Sequence, residues 1–313
     1  MTRFGPKADR KITELLSAGG FTLSAEIIPP RNGADPESII RQVESLTNAG
    51  SQFLAVTKGA GGSLRGGSLP IAQMIKDSFQ TPCIAHFTCR DLLPEEVENQ
   101  LIDHHFFGIR NILALRGDPP VGLEGWQPRE GSYPYAYQLV EQLQALNQGR
   151  YLDRPGFKAT ERVKMDFCVG VACYPDSENP KERLEYYSQK AKAGADFAIT
   201  QMLFDSDSYS RFKDDAAKLG IDIPILPGTR ILKSKEQAAK VAQRFGVPVP
   251  KSYMNRLPET DAAATPEASL DAFMKFTDEL KTKGAPGLHV FVLNDTELAS
   301  RSLGLLSAHS RPI

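Results

Sequence analysis

The chain has 313 residues, of which 41% are hydrophobic and 24% charged, enough apolar content to bury a large core without disulfides or metals. Its formal net charge is -1 and no basic run is interleaved with aromatics, which excludes the electrostatic footprint of a nucleic-acid-binding protein. No stretch of about 18 apolar residues could span a membrane, and the opening MTRFGPKADRKITELL lacks the apolar core of a signal peptide, so a cytoplasmic location is expected.

Short apolar runs bounded by Pro, Gly or Asp alternate along the chain with longer segments of helical periodicity, the pattern of βαβ units and a parallel sheet. Strands are predicted at residues 21–28, 52–57, 82–88, 111–116, 166–174, 197–204, 223–226 and 288–293. After the first strand, Ile39, Ile40, Val43 and Leu46 form one apolar helical face; Asp35 before Pro36 reads as its N-cap, and Gly50 ends it. Leu270, Phe273, Met274 and Leu280 repeat that stripe ahead of the last strand. Three segments break the rhythm, at residues 119–134, 148–164 and 251–266, and loops of this length tend to be functional. The four cysteines, Cys83, Cys89, Cys168 and Cys173, fall in apolar runs without CxxC spacing and are expected to be reduced, buried thiols rather than metal ligands. Eight strand-helix units predict an α/β fold, a single (β/α)8 TIM barrel over residues 1–313, with residues 1–20 as an N-terminal extension carrying a helix.

Polar residues interrupt the apolar strands near their C-terminal ends, where barrel enzymes build their sites. They are Glu26 in SAEIIPP, Thr57 in FLAVTKG, His86 in CIAHFTC, Asp118 in LALRGDPP, Tyr174 in VGVACYP and Gln201 in AITQMLFD. Glu26 stands out, because a carboxylate among Ala25, Ile27 and Ile28 is costly unless it is paired or neutral. Burial disfavours the charged form and suits a carboxyl to proton donation; an ion pair with an Arg or Lys inside the barrel is the structural alternative. His86 alone reads first as a satisfied core histidine, whereas Asp118, after Arg116 and Gly117, reads as a carboxylate presented beside a guanidinium, with a mere strand-ending turn as the alternative. The run Gly59-Ala60-Gly61-Gly62 permits close backbone approach to a ligand but has neither Rossmann nor Walker spacing. Lys58 allows a Schiff-base lyase, against the commoner reading of an exposed loop lysine.

The motifs SAEIIPP, AVTKGAGG, HFTC, LALRGDPP, ACYP and AGADFAITQMLFD, followed by PILPGTR and HVFVLN, occur in the order and spacing of the methylenetetrahydrofolate reductases, and the chain resembles that family over residues 20–305. The resemblance implies a (β/α)8 barrel that binds FAD and passes hydride from NADH or NADPH through the flavin to a tetrahydrofolate one-carbon unit. It implies Glu26 as general acid, Asp118 as the aspartate beside flavin and pterin, and Gln201 as a folate contact. Thr57, His86, Leu115, Arg116, Gly117, Asp118, Tyr135, Tyr174 and Lys190 match cofactor-binding positions. A homo-oligomer is the expected assembly.

The chain departs from the family in the element that grips the distal half of FAD. YPDSENP stands where a histidine is usual, with Glu178 or Asn179 near that place, and Arg183, Tyr186 and Gln189 replace other polar positions while Lys190 is kept. Lys235 and Asp295 occupy places where a phenylalanine and an arginine are common. These departures imply weakened FAD binding. They also keep open a flavin-free reductase using NADH directly, and a folate- or flavin-binding subunit served by an electron-transfer partner protein.

Overall fold

Strands buried on both faces need apolar residues at successive positions, and that is how these strands read. The computed structural model describes residues 7–59, 66–120, 122–123, 125–156 and 162–309. Its eight parallel strands close into a barrel in chain order. They are β1 (Thr22–Ile27), β2 (Phe53–Val56), β3 (Cys83–Thr88), β4 (Asn111–Leu115), β5 (Cys168–Cys173), β6 (Phe197–Met202), β7 (Ile225–Thr229) and β8 (Gly287–Phe291). Around them lie α2 (Glu37–Asn48), α3 (Ser68–Ser78), α4 (Pro94–Phe106), α5 (Ala136–Asn147), α6 (Pro180–Lys192), α7 (Ser206–Lys218), α8 (Lys235–Phe245), α10 (Pro266–Thr282) and α11 (Thr296–His309).

Alternation along each strand sorts two cores. Phe53, Ala55, Ile84, Leu113, Cys168, Phe197, Ile199 and Leu226 point inward, while Leu54, Val56, Ala85, Phe87, Ile112 and Val171 pack on the helices. A Cβ on Gly170 would come within 2.4 Å of the Phe197 ring, so the missing side chain makes room for an aromatic inside the barrel. The short helix α1 (Ile12–Ser17) sends Ile12 and Leu15 into the inner core. Asn111, at the start of β4, accepts from the Ile12 amide at 2.9 Å and fixes this plug at the base.

The helical stripes pack as their spacing requires, with Ile39, Val43 and Leu46 buried on α2 and Leu270, Phe273 and Leu280 on α10. Asp35 caps α2 by accepting from the Glu37 amide at 2.9 Å. Strand ends differ from expectation: Thr57, Arg116 and Tyr174 lie just beyond β2, β4 and β5, and β7 continues past residue 226 through Pro227 and Gly228 to Thr229. Proline cannot donate to a ladder, and the β6–β7 register shifts between Ile199 and Met202, beside the place where Pro227 would need a partner. The segment 251–266 is not a plain loop, since it contains α9 (Lys251–Met254) and a 3-10 turn at Asp261–Ala263. All four cysteines are buried and free, and burial pushes the Cys89 and Cys168 thiols up to about 11 and Cys173 to about 12. Among the described residues, no helix is long and apolar enough to cross a membrane.

Candidate active site

Glu26 is the inward residue of the last turn of the β1 pleat, and it is only 9% exposed. Its ionisable neighbours among the described residues are two imidazoles rather than an Arg or Lys. Glu26 Oε2 lies 3.3 Å from His86 Nε2, on β3, and 3.6 Å from His289 Nε2, on β8. Neither nitrogen is aligned for a hydrogen bond, so both approaches are electrostatic proximity. Burial pushes the His86 imidazole below its usual value, more than the Glu26 carboxyl raises it, which leaves the ring neutral near pH 7. His289 is fully buried, with Phe53 stacked 6.3 Å away and Phe291 edge-on at 5.3 Å. Sequence reasoning missed His289, although it breaks the apolar run GLHVF as His86 breaks CIAHFT.

A second cluster forms around Tyr174, just past β5. The Arg183 guanidinium is 5.1 Å and the Lys190 ammonium 5.7 Å from the centre of its ring. Lys190 donates to the Ala172 carbonyl at 2.9 Å, and burial, with the like charges of Arg183 and Arg116 nearby, lowers it to about 8. Among the described residues, none of Arg116, Arg183 and Lys190 is ion-paired with a carboxylate. Burial, with the Asp118 charge adding to it, raises the Tyr174 phenol. Asp118 itself is exposed, and its carbonyl accepts from Arg90. Gly117 holds this turn at φ +95°, where a Cβ would meet the Arg90 and Thr88 Cβ atoms at 3.0 and 3.3 Å.

The remaining expected residues ring the same C-terminal mouth. Thr57 is 2% exposed and its hydroxyl has no partner among the described residues. Gln201 sits at the irregularity in β6, and its Oε1 accepts from the Met202 amide at 2.8 Å. Leu115 ends β4 half-buried against the inner core. Tyr135 caps α5 and stacks on Tyr137 and on Tyr186 of α6, both at 5.6 Å. Lys58 turns away from the lumen: it donates to Gln100 of α4 at 2.7 Å and lies 4.3 Å from the ring of Phe87, an outward residue. Burial lowers Lys58 to about 8, so it is not the exposed loop lysine expected, nor is it aimed where a Schiff base would serve the mouth. Residues 60–62 of the glycine run lie outside the described residues.

The family model described as methylenetetrahydrofolate reductase matches residues 11–304. The chain belongs to the methylenetetrahydrofolate reductase family. It is 30% identical over 288 residues to the Escherichia coli 5,10-methylenetetrahydrofolate reductase, covering 90% of this chain and 89% of that one. Methylenetetrahydrofolate reductase 1 of Schizosaccharomyces pombe is 29% identical over 302 residues, 93% of this chain but 47% of the yeast protein. The chain thus spans about half the length of the fungal and plant relatives it matches. An uncharacterised Clostridium thermocellum protein that binds two copies of 5-methyl-5,6,7,8-tetrahydrofolic acid superimposes with a TM-score of 0.62 at 12% identity, covering 95% of this chain and 99% of that one, which shows a shared fold.

The departures from the methylenetetrahydrofolate reductase pattern have definite places. Asn179 caps α6, accepting from the Glu182 amide, and Arg183 Nε donates to Ser177 at 3.3 Å, so YPDSENP forms an ordered helix start. Tyr186 adds an aromatic face against Tyr135 rather than leaving a gap. Gln189 keeps a buried Oε1 without a partner among the described residues. Lys235 pairs with Glu259, while Asp295 pairs with Lys233 and acts on Arg230, whose Nε is buried and has no partner among the described residues.

Proposed function

We propose that this chain converts 5,10-methylenetetrahydrofolate to 5-methyltetrahydrofolate, or runs that reaction in reverse, with Glu26 as general acid, FAD as cofactor and NADH or NADPH as electron donor. The observation that carries the reading is the buried Glu26 carboxyl at the barrel mouth, facing two imidazoles and, among the described residues, no fixed cation. A carboxyl so placed can deliver a proton to the substrate's N10 and open the five-membered ring to the N5 iminium. A positioned acid contributes typically about 10² to 10⁴-fold. Membership of the family and the coverage of the bacterial relative support the same reaction.

The residues present fit FAD. Three cations without carboxylate partners beside Tyr174 suit a pyrophosphate, and the orphaned Thr57 hydroxyl suits a polar ligand edge. Arg116, Arg183 and Lys190 would hold the pyrophosphate, the Tyr135–Tyr186 stack would border the adenine end, and Thr57, His86, Leu115, Gly117 and Tyr174 would border the isoalloxazine. When bound, FAD supplies hydride to the N5 iminium. Asp118 and the Gln201 amide would orient the pterin. Spectra of flavin-loaded protein test the reading: anaerobic NADH should bleach the flavin, and methylenetetrahydrofolate should restore its colour with formation of methyltetrahydrofolate. Flavin that stays bleached after folate is added contradicts it. Reduction by protein carrying no flavin would instead support the flavin-free reductase, and activity only with an added protein donor would support the subunit reading.

A further inference from the structure

The segment 148–164 breaks the strand-helix rhythm of the sequence, and the barrel mouth makes no use of it. Its described part returns from the end of α5 towards α4. The Leu152 amide donates to Glu98 Oε2 at 2.8 Å, Arg154 donates to Glu98 Oε1 at 3.2 Å, and the Tyr151 hydroxyl donates to the Val163 carbonyl at 2.6 Å. These bonds satisfy the buried Glu98 carboxylate and fix the segment as one wall of a cleft of about 310 Å³ between α4 and α5, on the outside of the barrel.

Three groups lining the cleft are left without partners. Gln142 is 6% exposed; its Nε2 donates to the Pro94 carbonyl at 2.8 Å, which fixes the amide, and its Oε1 is buried with no partner among the described residues. An orphaned buried acceptor calls for an N–H or O–H donor. Glu141 and Arg150 are exposed, and neither forms an ion pair among the described residues. The Arg150 amide donates to the Ala145 carbonyl at 2.8 Å, one helical turn on from Gln142, so the free charges and the orphaned oxygen stand on neighbouring turns. Burial, with the charges of Glu95, Glu141 and Glu98 among those adding to it, raises the Tyr133 phenol, which marks that part of the cleft as negative. Ala145, Leu152 and the rings of Tyr133 and Tyr151 supply apolar surface. We propose that this cleft binds a free amino acid with an apolar side chain, its ammonium donating to Gln142 Oε1 and Glu141 and its carboxylate paired with Arg150. A simple amine leaves Arg150 unmatched, and a simple carboxylate leaves the Gln142 oxygen unmatched. A zwitterion answers one free charge of each sign and adds no net charge.

The experiment is a thermal-shift screen of the full chain with each of the twenty L-amino acids at about 10 mM, followed by calorimetry on those that respond. Amino acids with aliphatic or aromatic side chains should raise Tm, by about 2 to 4 °C at about ten times Kd, and aspartate, glutamate and lysine should not. The matching amines, which lack the carboxylate, and the N-acetyl amino acids, which lack the ammonium, should bind at least about tenfold more weakly. Arg150→Ala and Glu141→Gln change exposed positions and keep the fold, and each should weaken the responding amino acid about tenfold. Gln142→Leu removes the orphaned acceptor and should abolish the shift. The inference is overturned if no amino acid moves Tm, if the amines or N-acetyl forms bind as well as the amino acid, or if Arg150→Ala and Glu141→Gln both bind it like the wild type. None of these measurements needs flavin or folate, so failure of the reductase reading appears separately, as absent turnover.

Discussion

Thr57 and Glu26 show how single side chains become legible at the barrel mouth. In strands buried on both faces every polar residue costs free energy, so each polar break in an apolar run marks a position where the lumen or a ligand repays it. That logic located Glu26, His86, Thr57, Tyr174 and Gln201 by residue type alone. It could also have found His289, which breaks GLHVF in the same way, but not the ring's contact with Ser24, 265 positions away in the chain, which only closure of β8 onto β1 makes. Thr57 gives a residue-scale prediction, since its buried hydroxyl has no protein partner among the described residues. Thr57→Val should leave thermal stability unchanged or raise it by up to about 1 kcal/mol, because a buried unsatisfied group is removed, yet it should weaken FAD binding. Calorimetry and FAD titration check the two halves, and a clear loss of stability with unchanged affinity would make Thr57 structural.

Elements, rather than residues, decide the distal cofactor region. Read along the chain, Arg183, Tyr186 and Gln189 look like lost contacts; on α6 their faces matter, and Arg183 joins Lys190 over Tyr174 while Tyr186 meets Tyr135 of α5. Sequence spacing could not reveal this because it depends on how α5 and α6 pack. Arg183→Ala should weaken FAD affinity about ten- to a hundredfold, from a charged hydrogen bond worth about 1.5 to 3 kcal/mol. Fluorescence titration of apoprotein measures it, and equal affinity would remove Arg183 from the pyrophosphate site. Affinity should also fall as pH rises through about 8, where ligand-free Lys190 loses its charge.

At the scale of the molecule, the eight alternating strand-helix units predicted the closed barrel that forms, but the plug at its base lay beyond them. The plug depends on Asp9, whose Oδ2 accepts from the Cys83 amide at 2.9 Å and from Asn111 at 3.1 Å, joining the N-terminal segment to the starts of β3 and β4. Burial raises Asp9 to about 6 against these bonds, which lower it. With the folded value above the unfolded one, the folded state holds a proton that the unfolded state releases from about pH 4 to 6. This contribution to stability is therefore full at the acid end, is lost as pH rises through about 6, and stays flat above. Asp9→Asn should abolish that fall, so the variant's stability relative to wild type should rise between pH 4 and 6 by up to about 3 kcal/mol, less with solvent screening. Denaturant titrations across that range measure it; parallel stability curves would show that Asp9 does not titrate there.

The central claim is that Glu26 delivers the proton that opens the folate ring. Flavin-loaded protein, reduced anaerobically and mixed rapidly with methylenetetrahydrofolate, reports that step as flavin reoxidation. Glu26→Gln keeps the shape of the side chain and should still bind flavin, but its reoxidation rate should drop by about 10² to 10⁴-fold. A variant that reoxidises at more than about a tenth of the wild-type rate would contradict the account.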